Sequence, residues 1–110
     1  MNLTDKKCEP CEMGGEPLKK DEVDFYMKDV PEWEVKEGKK IGRKFKHKDF
    51  SEAMAFVNKV ADLAEEEGHH PDFIIHYNEV ELVLWTHAVG GLSVNDFIMA
   101  AKINGLANSC

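Results

Sequence analysis

Long apolar runs are missing from this chain of 110 residues, and no stretch approaches the roughly 18 apolar residues that a membrane helix needs. The opening MNLTDKKCEPCE also lacks the continuous hydrophobic segment of a secretory signal, so a cytoplasmic protein is expected. Cysteine is scarce: three residues cannot all pair within one chain, and without an export signal thiols are expected rather than disulfides. The spacing Cys8-Glu9-Pro10-Cys11 supplies two of the four ligands a structural zinc wants. No second such pair exists, Cys110 is a lone candidate third ligand, and the flanking strand and helix of a redox motif are absent. Residues 1–17 therefore read as a polar tail with incidental thiols, and 18–110 as a single domain with one modest core. Positive charge is in deficit as well, 14 Lys and Arg against 21 Asp and Glu for a net charge of -7, so direct nucleic-acid binding is not expected.

What is present falls into alternating helical and extended patterns. Val23, Tyr26 and Met27 recur at helical intervals between Leu18 and Lys28, and Val30-Pro31 ends that helix because proline disfavours helical geometry in the residue before it. The segment WEVKEGKKIGRKFKH reads as a β-hairpin about Glu37-Gly38-Lys39, with Val35 opposite Ile41. The basic cluster, Lys36, Lys39, Lys40, Arg43, Lys44, Lys46 and Lys48, lies here. It reads as a solvated strand face that blunts edge pairing, in preference to a phosphate-binding ribbon. Phe50, Ala53, Met54, Val57, Val60, Ala61 and Ala64 then form an apolar helical stripe, capped by Asp49 with Glu52 and terminated at Gly68 before Pro71.

A second hairpin is expected from Phe73 to His87, with the turn centred on Asn78-Glu79. That register opposes Tyr77 to Val80, Ile75 to Leu82 and Phe73 to Leu84, and it places Ile74 against Val83 and His76 against Glu81. Continued to the open end, it sets His70 opposite His87, with His69 beside them. Ala88 to Leu92 turns the chain into a last helix, where Ser93 and Asp96 form a capping box. Asp96 thus has two readings, as a helix cap and as a carboxylate that orients an imidazole. His47 and His76 read as surface strand residues.

Three imidazoles brought together from separate segments point to proton transfer near neutral pH. A three-histidine zinc centre is the rival within that site. Against it, adjacent His69 and His70 point to opposite sides if extended, and only Asp72 and Asp96 could serve as supporting carboxylates. Neither Thr86 nor Ser93 sits in a nucleophile motif, so acid–base chemistry without covalent attachment is favoured.

The string His69-His70-Pro71, then Tyr77-Asn78 with Val80 and Leu82, then Thr86-His87, Gly91-Leu92-Ser93 and Asp96 resembles the signature of the pterin-4a-carbinolamine dehydratases. The likeness extends over roughly residues 18 to 107. It implies an α+β fold of two layers, a four-stranded antiparallel sheet with helices on one face in β-β-α-β-β-α order, which agrees with the elements read above plus the N-terminal helix. It also implies dehydration of 4a-hydroxytetrahydropterin to quinonoid dihydropterin, in support of aromatic amino acid hydroxylases. The pterin is then the substrate; no cofactor and no metal are needed. By the same resemblance His69, His70 and His87 are the active-site histidines and Asp96 their supporting carboxylate. Pro71, Thr86 and Ala88 line the pterin pocket, with Phe73 and Trp33 as aromatic walls. Family members form dimers or tetramers, so a homo-oligomer is expected, with no membrane partner. A non-catalytic binding or assembly module on the same fold is the alternative.

Overall fold

The computed structural model describes residues 16–108, so the readings made of Cys8, Cys11 and Cys110 lie outside the described residues. Within that range the order is α1 (Lys20–Met27), β1 (Glu34–Lys36), β2 (Lys40–Lys46), α2 (Phe50–Glu67), β3 (Asp72–His76), β4 (Glu79–Leu84) and α3 (Val94–Asn108). A short 3-10 turn, His87–Val89, stands between β4 and α3. The strands form one antiparallel sheet in the order β1-β2-β4-β3. No helix among the described residues is long and apolar enough to cross a membrane.

Alternation along the strands decides which face is covered. Ile41 and Phe45 of β2 and Val80, Leu82 and Leu84 of β4 are buried against Ala53, Phe56, Val60 and Ala64 of α2 and Phe97, Ile98 and Ile103 of α3. Lys44, Lys46 and Glu81 alternate onto the opposite, open face. The α2 stripe sits differently from the expected one: Phe56 is buried, whereas Phe50 is 49% exposed and stacks on Tyr77 at 6.5 Å. The reason is that Ala53, Phe56, Val60 and Ala64 lie one above another, and the alanines let the helix approach the sheet closely enough to seat the one large ring.

The first hairpin has the expected register, Val35 opposite Ile41. The second does not. Phe73 pairs with Leu82, Ile74 with Glu81, Ile75 with Val80 and His76 with Glu79, so Tyr77-Asn78 forms the turn and each partner is displaced by two positions. Tyr77 takes the positive φ of 51° that asparagine would tolerate better. Asn78 is engaged elsewhere: its Nδ2 donates to the His47 carbonyl at 3.0 Å, and its own carbonyl accepts from the His47 N–H at 2.8 Å. These bonds pin the turn to the end of β2. His47 itself is a correction, because its ring is not at the surface. The side chain is 8% exposed, packs 5.0 Å from the Phe56 ring, and has a buried Nε2 with no hydrogen-bond partner among the described residues. His76 is exposed on the open face, as expected.

Candidate functional site

The site grows from the two ends of α2 and α3 that meet beyond β4. At the end of α2, Gly68 takes φ 68°, a left-handed conformation that turns the chain without the steric cost a side chain would add. Glu67, just before it, accepts from Lys102 of α3 at 2.8 Å, and both side chains are largely buried. That ion pair clamps the C-terminus of α2 to α3 and delivers His69 to the first turn of α3.

There His69 Nε2 lies 2.6 Å from Asp96 Oδ1. Asp96 is fully buried and His69 only 12% exposed. A buried carboxylate is tolerated only when its oxygens are satisfied, and here they are. Oδ2 accepts from the Thr86 hydroxyl at 2.9 Å and from the Ser93 backbone N–H at 2.9 Å. The single Thr86 proton is thereby spent, so the Ser93 hydroxyl, 2.7 Å away, is the donor to Thr86 Oγ1. Both readings of Asp96 hold at once: one oxygen caps α3 and the other meets an imidazole. With Nε2 bonded to the carboxylate, the ring is fixed in orientation and Nδ1 is left available.

The loop from Thr86 to Gly91 is closed on itself. Thr86 N–H donates to the Gly91 carbonyl at 2.8 Å, and Gly91 N–H returns to the Thr86 carbonyl at 3.3 Å. Gly90 supplies the positive φ of 68°, while a Cβ on Gly91 would stand 2.9 Å from the Pro17 ring. The two glycines thus answer different demands, one of backbone angle and one of space. His87 opens the 3-10 turn inside this loop, and its ring rests on Trp85 with centroids 3.8 Å apart.

The expected facing of His70 and His87 is corrected by the observed register, which would carry His70 opposite Trp85 instead. His70 turns away from Asp96 and pairs through Nε2 with Glu65 of α2, both groups being well exposed. The three imidazoles are therefore held by three different partners. Pro71 is buried, Phe73 packs half-buried against the core, and Ala88 is exposed beside His87. Trp33 is part of the buried core. It is 2% exposed, and its Nε1 donates to Asn104 Oδ1 at 2.8 Å, about two helical turns along α3 from Asp96. Glu65 carries no signal in the sequence, whereas Trp85 does: a strand places residues i and i+2 on one side and so puts Trp85 with His87. Among the described residues no group of three or more His, Cys, Asp or Glu is arranged to hold a metal.

Comparison with known proteins bears on this arrangement. Residues 16–106 match the family model described as pterin 4 alpha carbinolamine dehydratase. A protein of Alkaliphilus metalliredigens with the provisional name pterin-4-alpha-carbinolamine dehydratase is 43% identical over 104 residues, 94% of each chain. One of Chlorobium limicola, with the same provisional name, is 47% identical over 90% of each chain. Among solved structures, a transcriptional coactivator/pterin dehydratase from Brucella melitensis superposes with a TM-score of 0.79 at 35% identity, covering 84% of this chain and 99% of that one. A pterin dehydratase-like protein described as a RuBisCO assembly factor of the alpha-carboxysome superposes at 0.61 with 24% identity, over 71% and 92% of the two chains, a likeness of fold.

Proposed function

We propose, from the premise that this chain belongs to the pterin 4 alpha carbinolamine dehydratase family, that it is a hydro-lyase converting 4a-hydroxytetrahydropterin to quinonoid dihydropterin and water. It would act in the cytoplasm as a homo-oligomer that recycles the pterin of an aromatic amino acid hydroxylase. The observation that carries the reading is His69 bonded to a buried Asp96 that is itself tied to Thr86, the residue preceding His87. One imidazolium protonates the departing 4a-hydroxyl, the C4a–O bond breaks with loss of water, and a neutral imidazole takes a proton from the pterin ring. Two histidines in different settings suit such a division, since acid and base must be in opposite protonation states at the same pH. His70, exposed on Glu65, is available to the substrate from the solvent side, with Pro71, Phe73 and Ala88 as the neighbouring pocket.

The test is dehydration of 4a-hydroxytetrahydropterin by recombinant protein, with and without a chelator. Acceleration that survives chelation is expected, and His69→Ala or His87→Ala should each lower it on the order of 100- to 10,000-fold. A parent protein that leaves the spontaneous rate unchanged would end the proposal and turn attention to the assembly-module alternative.

A further inference from the structure

His87 is the one histidine of the site without a polar anchor. No described residue hydrogen-bonds or ion-pairs with its ring, which is exposed, and the contact that holds it is with Trp85 at 3.8 Å between centroids and 43° between planes. Trp85 is held in turn: it is half-buried at the end of β4, and the Lys40 ammonium stands 4.8 Å from its ring centroid. We infer that Trp85 is the positioning residue of His87, fixing the imidazole by its π-face so that both ring nitrogens stay free to exchange protons.

A hydrogen-bonded anchor would take one ring nitrogen out of use. An imidazole anchored through one nitrogen has only the other for chemistry, as His69 has. A ring held only by contact with an aromatic neighbour keeps both, so it can take a proton from substrate on one nitrogen and exchange with water on the other. An aromatic face also tolerates the imidazole in either charge state, since it attracts a cation and stacks with the neutral ring. Lys40 and Trp85 are supplied by neighbouring strands, β2 and the continuation of β4, so the sheet itself sets the position of His87.

The activity arm of the test rests on the dehydratase reading; the spectroscopic arm does not. In the full chain, histidine ring protons would be recorded by proton–carbon correlation NMR for the parent, Trp85→Leu and Trp85→Phe. Leucine keeps apolar bulk without a π-face, and phenylalanine keeps a face. The parent His87 protons are expected to be displaced from those of exposed His76 by the indole ring current. That displacement should collapse in Trp85→Leu and persist in part in Trp85→Phe. Turnover should fall on the order of 10- to 100-fold in Trp85→Leu, the scale of a misplaced catalytic group, and recover largely in Trp85→Phe. Combined with His87→Ala, Trp85→Leu should add no further loss. His87 resonances that are the same in parent and Trp85→Leu, or undiminished turnover in Trp85→Leu, would overturn the inference. A parent with no dehydratase activity would defeat the proposed function, while the spectra would still decide whether Trp85 positions His87.

Discussion

His69 and His87 lie at opposite ends of one short chain of contacts through Asp96 and Thr86, yet they are held by different forces. His69 is nearly covered and anchored by a carboxylate that has no exposure of its own. His87 is exposed and rests on an indole. The first arrangement fixes one ring nitrogen and makes the site part of the core; the second leaves the ring its protons and makes it part of the surface. Folding stability should therefore depend on the His69 end, and proton exchange with solvent on the His87 end.

The widest separation is expected from Asp96→Ala. It leaves the Thr86 hydroxyl, the Ser93 N–H and His69 without their shared acceptor, and removing one member of a buried charged network costs about 3–5 kcal/mol. His87→Ala should change stability by no more than about 0.5 kcal/mol, as surface substitutions do, while still abolishing most turnover. Urea unfolding of the two variants reads both. A His87→Ala variant destabilised as much as Asp96→Ala would break the distinction between the two ends.

Thr86→Val comes next, because valine has nearly the same shape and no hydroxyl. Asp96 loses one donor and Ser93 its acceptor, at a cost of about 1–3 kcal/mol. The His87 ring resonances should move little, since Trp85 rather than Thr86 holds that ring. If they shift as far as in a Trp85 variant, the two ends are coupled more tightly than the contacts indicate.

Much of this was legible in the sequence, and the part that was not has a specific cause. The Gly68 terminator and the first hairpin follow from local chemistry and stand as read; of the Ser93–Asp96 capping box the Asp96 half is made, while the Ser93 hydroxyl bonds Thr86 instead. In the second hairpin Asn78 has the better propensity for the strained turn position, whereas Tyr77 occupies it because Asn78 is bonded to His47, 31 residues away. The sorting of side chains into two faces is the same in both registers. Moving a turn by one residue changes every partner by two, and a strand's period of two leaves both faces intact. The mistaken encounter of His70 with His87 followed from that register alone. Trp33 carries a related ambiguity: aromatic character marks a pocket wall and a core residue equally well, and in this fold Trp33 is a buried residue bonded to Asn104.

The smallest expected effect tests whether burial is what makes Asp96 important, using a carboxylate on the open face as the control. Glu81 accepts from Lys36 Nζ at 2.7 Å, with the two side chains 16% and 40% exposed. The hydrogen bond from Lys36 is the main cause holding the Glu81 carboxyl below its ordinary 4.5, and the same bond raises Lys36 above 10.5. A lowered carboxylate stabilises the fold above its unfolded value and loses that contribution as pH falls through the folded one. A raised amine stabilises below its unfolded value and loses the contribution as pH rises through the folded one. Glu81→Gln should therefore cost about 1 kcal/mol near neutrality, because the partner Lys36 ammonium is open to water and screened. The gap from the parent should narrow as pH drops below 4.5. Urea midpoints of parent and variant at about pH 7 and about pH 3 would measure this. A Glu81→Gln penalty rivalling that of Asp96→Ala, or one unchanged in acid, would mean that solvent exposure does not separate the two carboxylates.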